Sequence, residues 1–221
     1  MPREVYFFNE PKAEQKHLAG GKGGTLASLY QRGYPVPDGF IIMPAAFCTD
    51  DLPPEAWTQT RACLGQMRKQ RAGSSFAVRS SALGEDAVLD SCAGQFETVL
   101  NVRTDDEVRQ AVQNVYRSRN SARVRAYSKA KGLAISREVA VVIQQMVPAE
   151  ISGVMFTADP VTGSHNQMTG NFIFGLGDQL VSGQVEPLTF TLERSACIWR
   201  KNGYEGCQAG VMVKVLASFE V

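Results

Sequence analysis

The segment EVAVVIQQMV at 138–147 constrains the fold more than any other stretch of the chain. It is rich in valine and is closed by Pro148, which cannot donate to a sheet ladder. A run of this length and β-branched content reads as a buried strand. It is too short to cross a bilayer, which takes ~20 apolar residues, and no uncharged apolar run elsewhere reaches that length. A buried strand obliges the rest of the chain to supply sheet partners and apolar cover.

The flanking sequence supplies them. Strands are expected at Val5–Phe8, Phe40–Met43 and Phe76–Val78, the last delivering Arg79 at its end, and again over 96–102. A helix is expected from Thr25, with Leu26, Leu29 and Tyr30 on one face and Gly33 ending it. A second opens at Pro53-Pro54, with Trp57, Thr60, Leu64 and Met67 at helical spacing. A third follows Thr104, where Thr104 and Glu107 form a capping-box pattern; Val108, Val112, Val115 and Tyr116 make its apolar stripe, and it is expected to reach Tyr127. Further strands are expected at 153–156, 171–174, 188–192, 197–200 and 211–216, with a turn at Asp159–Gly163. There is no regular βαβ rhythm. The pattern implies an α+β protein of two lobes, the first over 1–103 and the second over 104–221, with the 138–147 strand in the second.

Charge and composition exclude several classes of function. Lys and Arg number 23 against 22 Asp and Glu, so the basic excess of a nucleic-acid binder is missing. Five cysteines without a CxxC pair argue against a zinc ribbon or a disulfide framework. Two histidines, His17 and His165, are too few for a multi-histidine metal site. The N-terminus Met-Pro-Arg-Glu-Val has no apolar signal core, and a cytoplasmic protein without membrane or nucleic-acid partners is expected.

Four segments carry chemistry. GGKGG at 20–24 lacks the spacing of a P-loop, but its glycines allow close backbone approach to an anion and Lys22 brings a positive charge just ahead of a helix. Alone, it reads as a flexible turn with a solvated lysine. FAVRSSALGEDAVLDSCAGQFETVLNV at 76–102 sets Arg79 beside Ser80 and Ser81, a guanidinium and two hydroxyls suited to phosphate oxygens, with Gly94, Gln95 and Thr98 able to form a backbone-donor loop. Alone, it reads as a surface arginine beside a polar loop. VVIQQMV at 141–147 ends a strand in polar and apolar groups that suit a flat base such as adenine, or else buries Met146 in a core. SGVMFTADPVTG and FGLGDQLVSGQVEP, within 152–187, read as strand, turn and glycine-rich loop.

In this order the segments resemble the N-terminal nucleotide-binding domain of the phosphoenolpyruvate synthase and pyruvate phosphate dikinase group, which rifampicin phosphotransferases share. The resemblance runs from residue ~18 to ~192. It implies an ATP-grasp fold with a nucleotide cleft between two lobes, with ATP and Mg2+ as cofactors. It implies that Lys22 and Arg79 act on the ATP phosphates, that Gly94, Gln95 and Thr98 belong to the loop closing over the β and γ phosphates, and that Gln144, Met146 and Val147 line the adenine side. In the family, ATP donates its β-phosphoryl group to a histidine on a separate swivelling domain, with release of AMP and phosphate.

The family domain continues to an acidic metal ligand and a Gln-x-Arg segment, and nothing after residue 192 matches either. The fold is therefore expected to be incomplete at its C-terminus, its metal ligands are unassigned, and the swivelling histidine domain and acceptor domain must come from elsewhere. Lys22 and Arg79 stand 79 − 22 = 57 positions apart, a shorter interval than the family carries. Two other functions fit the same residues: a non-catalytic ATP- or ADP-binding module, and an ATP-grasp ligase acting through an acyl phosphate.

Overall fold

Strand β5 (Val139–Gln145) is hydrogen-bonded on both sides, to β2 (Gly39–Ile42) and to β3 (Phe76–Ala82). With β1 (Val5–Phe7) and β4 (Thr98–Val102) they make an antiparallel sheet of order β1-β2-β5-β3-β4. The computed structural model describes residues 3–11, 16–48, 51–83, 97–122 and 138–193. Residues 84–95 of the expected polar loop, the first residue of the strand expected over 96–102, the far end of the helix expected to reach Tyr127, and the strands expected at 197–200 and 211–216 lie outside the described residues.

The valine-rich run is buried because both faces of the sheet are covered. Successive side chains of a strand point to opposite faces. Ala140 and Val142 pack with Ile41, Phe8, Ala19 and Ala27 under helix α1 (Gly20–Gln31). Val141 and Ile143 pack on the other face with Phe40, Phe76 and Val78. That face is closed by Leu64 and Met67 of α2 (Pro54–Gln70) and by Val108, Val112 and Val115 of α3 (Asp105–Arg117). All of Val139 through Ile143 is fully inaccessible to solvent.

The contacts divide the chain into one unit over Met1–Val147 and a second over Pro148–Val221. This differs from a division at 103/104. The strand expected to belong to the second lobe is the centre of the first unit's sheet, because its antiparallel partners β2 and β3 both precede it. Strand β3 is also longer than the apolar run Phe76–Val78. It continues to Ala82, paired with Val139, so Arg79 stands in mid-strand rather than at its end.

The capping box at Thr104 is formed. The Glu107 amide donates to Thr104 Oγ1 at 3.2 Å, and the Glu107 carboxylate accepts from the amides of Thr104 and Arg103 at 3.0 and 2.7 Å. Helix α3 stops at Arg117 and passes into a 3-10 turn over Ser118–Asn120. Its first residue, Asp105, pairs with Arg68 and, at 3.1 Å, with Arg61 of α2. The hydrogen bond from Arg68, ahead of the smaller charge effects of both arginines, holds the Asp105 carboxyl below its usual range.

The second unit holds a three-stranded antiparallel sheet, β6 (Ile151–Phe156), β7 (Gln167–Phe174) and β8 (Leu188–Glu193), with a one-turn helix α4 (Asp178–Val181) that the sequence did not announce. Its pairing makes the two faces unequal in polarity. Ile151, Gly153 and Met155 stand opposite Phe174, Phe172 and Gly170; Phe172, Gly170 and Met168 stand opposite Leu188, Phe190 and Leu192. One face is therefore wholly apolar, while on the other Ser152, Asn171, Thr169, Thr189 and Thr191 mix with Ile173, Val154 and Phe156. The expected turn is present: Asp159 accepts from the Val161 amide at 2.8 Å and the Thr162 hydroxyl at 2.7 Å.

Asp105→Asn is expected to be less stable than the parent at neutral pH by up to ~1 kcal/mol, the scale of a partly exposed ion pair. A depressed carboxyl stabilises fully above its ordinary pKa of ~3.9 and loses that contribution as pH falls through the lower folded value. The gap between the two proteins, read from urea denaturation, should hold from pH 7 to about pH 5 and close toward pH 2.

Candidate functional site

Helix α1 begins at Gly20, not at Thr25, so GGKGG is its first turn rather than a loop ahead of it. Gly20, Gly23, Gly24 and Ala27 are its buried positions, at the spacing of one helical face. That face meets the protein, not an anion. A side chain on Gly20 would collide with the Ser81 carbonyl, and its φ of 72° and ψ of 171° lie in a region that essentially only glycine occupies. A Cβ on Gly24 would sit 2.5 Å from the Lys16 carbonyl oxygen, and one on Gly23 would touch Ser81 Oγ and Val142 Cγ2 at 3.4 Å.

The glycine face lets three hydrogen bonds form between α1 and β3. The Ser81 hydroxyl donates to the Ala19 carbonyl at 2.7 Å and accepts from the Gly23 amide at 2.8 Å. The Lys22 ammonium donates to the Ser80 carbonyl at 2.9 Å. Ser80 and Ser81 are both buried, so neither is the exposed phosphate donor that the sequence suggested. Ser81 instead fastens the turn that carries Lys22. The only sequence signal for this role is a small hydroxyl residue opposite a glycine-rich segment.

Arg79 lies two residues before Ser81 and so projects from the same, α1-facing side of β3. It is half-buried. Its cross-strand neighbours on that face are Val142 of β5 and Thr98 of β4, and Val142 is in turn opposite Ile41. Burial falls along this row. Ile41 and Val142 are fully covered beneath α1, Arg79 is half-covered, and Thr98 is exposed. The helix lies over β5 and β3, and the cover falls off from Val142 through Arg79 to Thr98 at β4.

Gln144 follows Val142 by two positions and shares its face, opposite Ala77 and Gly39. It is 8% exposed and donates from Nε2 to the Pro37 carbonyl at 3.2 Å. Lys22, Arg79, Thr98 and Gln144 therefore gather on one face of the first sheet. Met146 and Val147 lie past the end of β5, half-buried and exposed respectively. Two amides at that strand end are already used: Gln145 donates to the Asp38 carbonyl at 2.8 Å and Met146 to the Ser75 carbonyl at 2.9 Å. The edge there offers less free backbone than the sequence implied. Gly94 and Gln95 lie outside the described residues.

Other features stand apart from this group. A cavity of about 580 Å3 opens at the opposite end of β5, lined among others by Glu4, Tyr6, Met43, Leu83, Arg119 and Glu138; none of the four gathered residues contributes to it. Among the described residues, no three His, Cys, Asp or Glu side chains cluster so as to hold a metal ion. Among them, too, no helix is long and apolar enough to cross a membrane.

The family model for the pyruvate phosphate dikinase AMP/ATP-binding domain matches residues 43–205. The chain is 37% identical over 218 residues to the prodigiosin synthesizing transferase PigC of Serratia marcescens, covering 88% of this chain and 24% of that protein. It is 35% identical over 202 residues to the uncharacterized phosphotransferase YvkC of Bacillus subtilis, covering 83% and 24%. It is 32% identical over 237 residues to a probable phosphoenolpyruvate synthase of Methanothermobacter thermautotrophicus, covering 88% and 34%. The chain thus spans about a quarter to a third of the length of these relatives.

Gly20→Ala is expected to lower stability by at least ~1–3 kcal/mol, from backbone strain alone. Gly65→Ala, in the middle of α2 with open space around a new methyl, should raise it by ~0.5–1 kcal/mol through helix propensity. Thermal melts of the two variants should move in opposite directions.

Proposed function

The chain belongs to the pyruvate phosphate dikinase AMP/ATP-binding family, and on that premise we propose that it is the ATP-binding part of a phosphotransferase. Lys22 and Arg79 neutralise the triphosphate. Gly94, Gln95 and Thr98 belong to the loop that closes over its β and γ phosphates. Gln144, Met146 and Val147 line the adenine side of an ATP-grasp arrangement. The acceptor is a histidine on a separate domain, phosphorylated with release of AMP and phosphate.

One observation carries this reading. The Lys22 ammonium is anchored on the carbonyl of the residue next to Arg79 in β3, so a helix and a strand bring two cationic side chains to neighbouring positions of one sheet. Phosphoryl transfer asks little covalent chemistry of a protein and much positioning and charge neutralisation. A lysine acts as a point charge, while the guanidinium fork matches two phosphate oxygens at once. Thr98, directly across from Arg79, adds a hydroxyl at the same place. The magnesium that accompanies the nucleotide in the family is assigned to no residue of this chain, since the described residues offer no acidic cluster to hold it.

Lys22→Ala and Arg79→Ala should each weaken ATP binding by ~1.5–3 kcal/mol, or roughly 10- to 150-fold, the scale of a lost charge-assisted hydrogen bond. Titration calorimetry of the parent and both variants measures this. Unchanged affinity in both would refute the assignment. Adding magnesium and a histidine domain from a relative should yield AMP; tight ATP binding with no AMP formed would instead make the chain a non-catalytic nucleotide-binding module.

A further inference from the structure

We propose that Ser81 is a positioning residue that fixes Lys22 and Arg79 as one unit for a nucleoside triphosphate, an inference that rests on the nucleotide reading above. Ser81 is fully buried, so its hydroxyl reaches no ligand itself. It donates to the Ala19 carbonyl at 2.7 Å and accepts from the Gly23 amide at 2.8 Å. These two groups bracket the turn that carries Lys22. On its own strand, Ser81 is two residues from Arg79 and on the same face. The hydroxyl is therefore the link between the backbone that bears one cation and the backbone that bears the other. Lys22 closes the ring by donating to the carbonyl of Ser80 at 2.9 Å.

The close approach that makes the link possible is built in. Gly20 has no room for a side chain beside Ser81, and a Cβ on Gly23 would already touch the hydroxyl oxygen. With alanine at 81, the Ala19 carbonyl and the Gly23 amide lose their shared partner in a place without water, and the first turn of α1 must shift to satisfy them. That shift moves Lys22 relative to Arg79. Small errors in placing a charge cost affinity steeply, because the interaction depends on distance and on hydrogen-bond direction. The cost falls on the phosphate end of a nucleotide and spares the base.

The test compares ATP with AMP in the full chain, since AMP keeps the base and one phosphate but lacks the β and γ groups. Ser81→Ala should weaken ATP binding by about tenfold while AMP affinity stays within about twofold. Ser81→Cys, which keeps a weak donor and acceptor of similar size, should show the same selective loss to a smaller degree; it stands in if the alanine variant does not fold by far-ultraviolet circular dichroism. Lys22→Ala should cost much less in the Ser81→Ala background than in the parent, since the lysine is already misplaced there. A residue that merely stabilises the fold would leave the ATP-to-AMP ratio intact and its effect additive with Lys22→Ala, and either result overturns the proposal. A parent protein that binds ATP normally while both Ser81 variants match it overturns the positioning role alone. A parent that binds no ATP overturns the nucleotide reading, and this inference with it.

Discussion

The arrangement of the first unit depends on how closely helix α1 can lie on its sheet. Gly20, Gly23 and Gly24 remove the side chains that would hold it off, and the Ser81 hydroxyl takes up one acceptor and one donor of its first turn. The same closeness brings Lys22 within reach of a β3 carbonyl. A helix face of ordinary side chains would stand farther from the strands, at the usual spacing of packed layers, and the lysine would not meet Ser80. The cover is also partial. Ile41 and Val142 are fully covered, Arg79 is half-covered and Thr98 is exposed, so one row of a single sheet face passes from core to surface.

Much of this is legible in the sequence, for reasons that differ from element to element. The strand at 138–147 announces itself through valine content alone. Helices α2 and α3 are readable because their apolar residues recur with helical period and because Thr104 and Glu107 cap one of them reciprocally. The start of α1 is not readable. Five residues of which four are glycine look like a flexible loop, since glycine has poor helix propensity, yet here tertiary contact outweighs propensity and the segment is helical. The full length of β3 is hidden as well, because Arg79, Ser80 and Ser81 interrupt its apolar pattern. They are tolerated in an interior strand because the Ser81 hydroxyl is satisfied by Ala19 and Gly23 and Arg79 is only half-buried.

The division of the chain is obscured in the sequence for a topological reason. Along the chain, four strands and the helices α1, α2 and α3 precede β5, and linear order alone assigns the later residues to a new lobe. Sheet order does not track sequence order here: β5 inserts between β2 and β3, and only pairing in space reveals it. Of the candidate residues, Lys22, Arg79, Thr98 and Gln144 are identifiable as residue types suited to a nucleotide, but that Arg79, Thr98 and Gln144 share a face comes from register. Arg79 opposite Val142, and Gln144 two positions further on, put them on one side of the sheet. Ser81 is not recognisable as a structural link, because the chemistry of a hydroxyl is the same whether it faces a phosphate or a peptide group.

The second unit's small sheet has a consequence for how it is assembled. Its pairing gathers phenylalanine, methionine, leucine and isoleucine on one side, while serine, threonine and asparagine share the other with Val154, Phe156 and Ile173. Sliding β7 by a single residue against either neighbour would turn Asn171 and Thr169 toward the greasy side and Phe172 away from it. Such a slip would break up the one wholly apolar side, so the pattern favours a single register for β7.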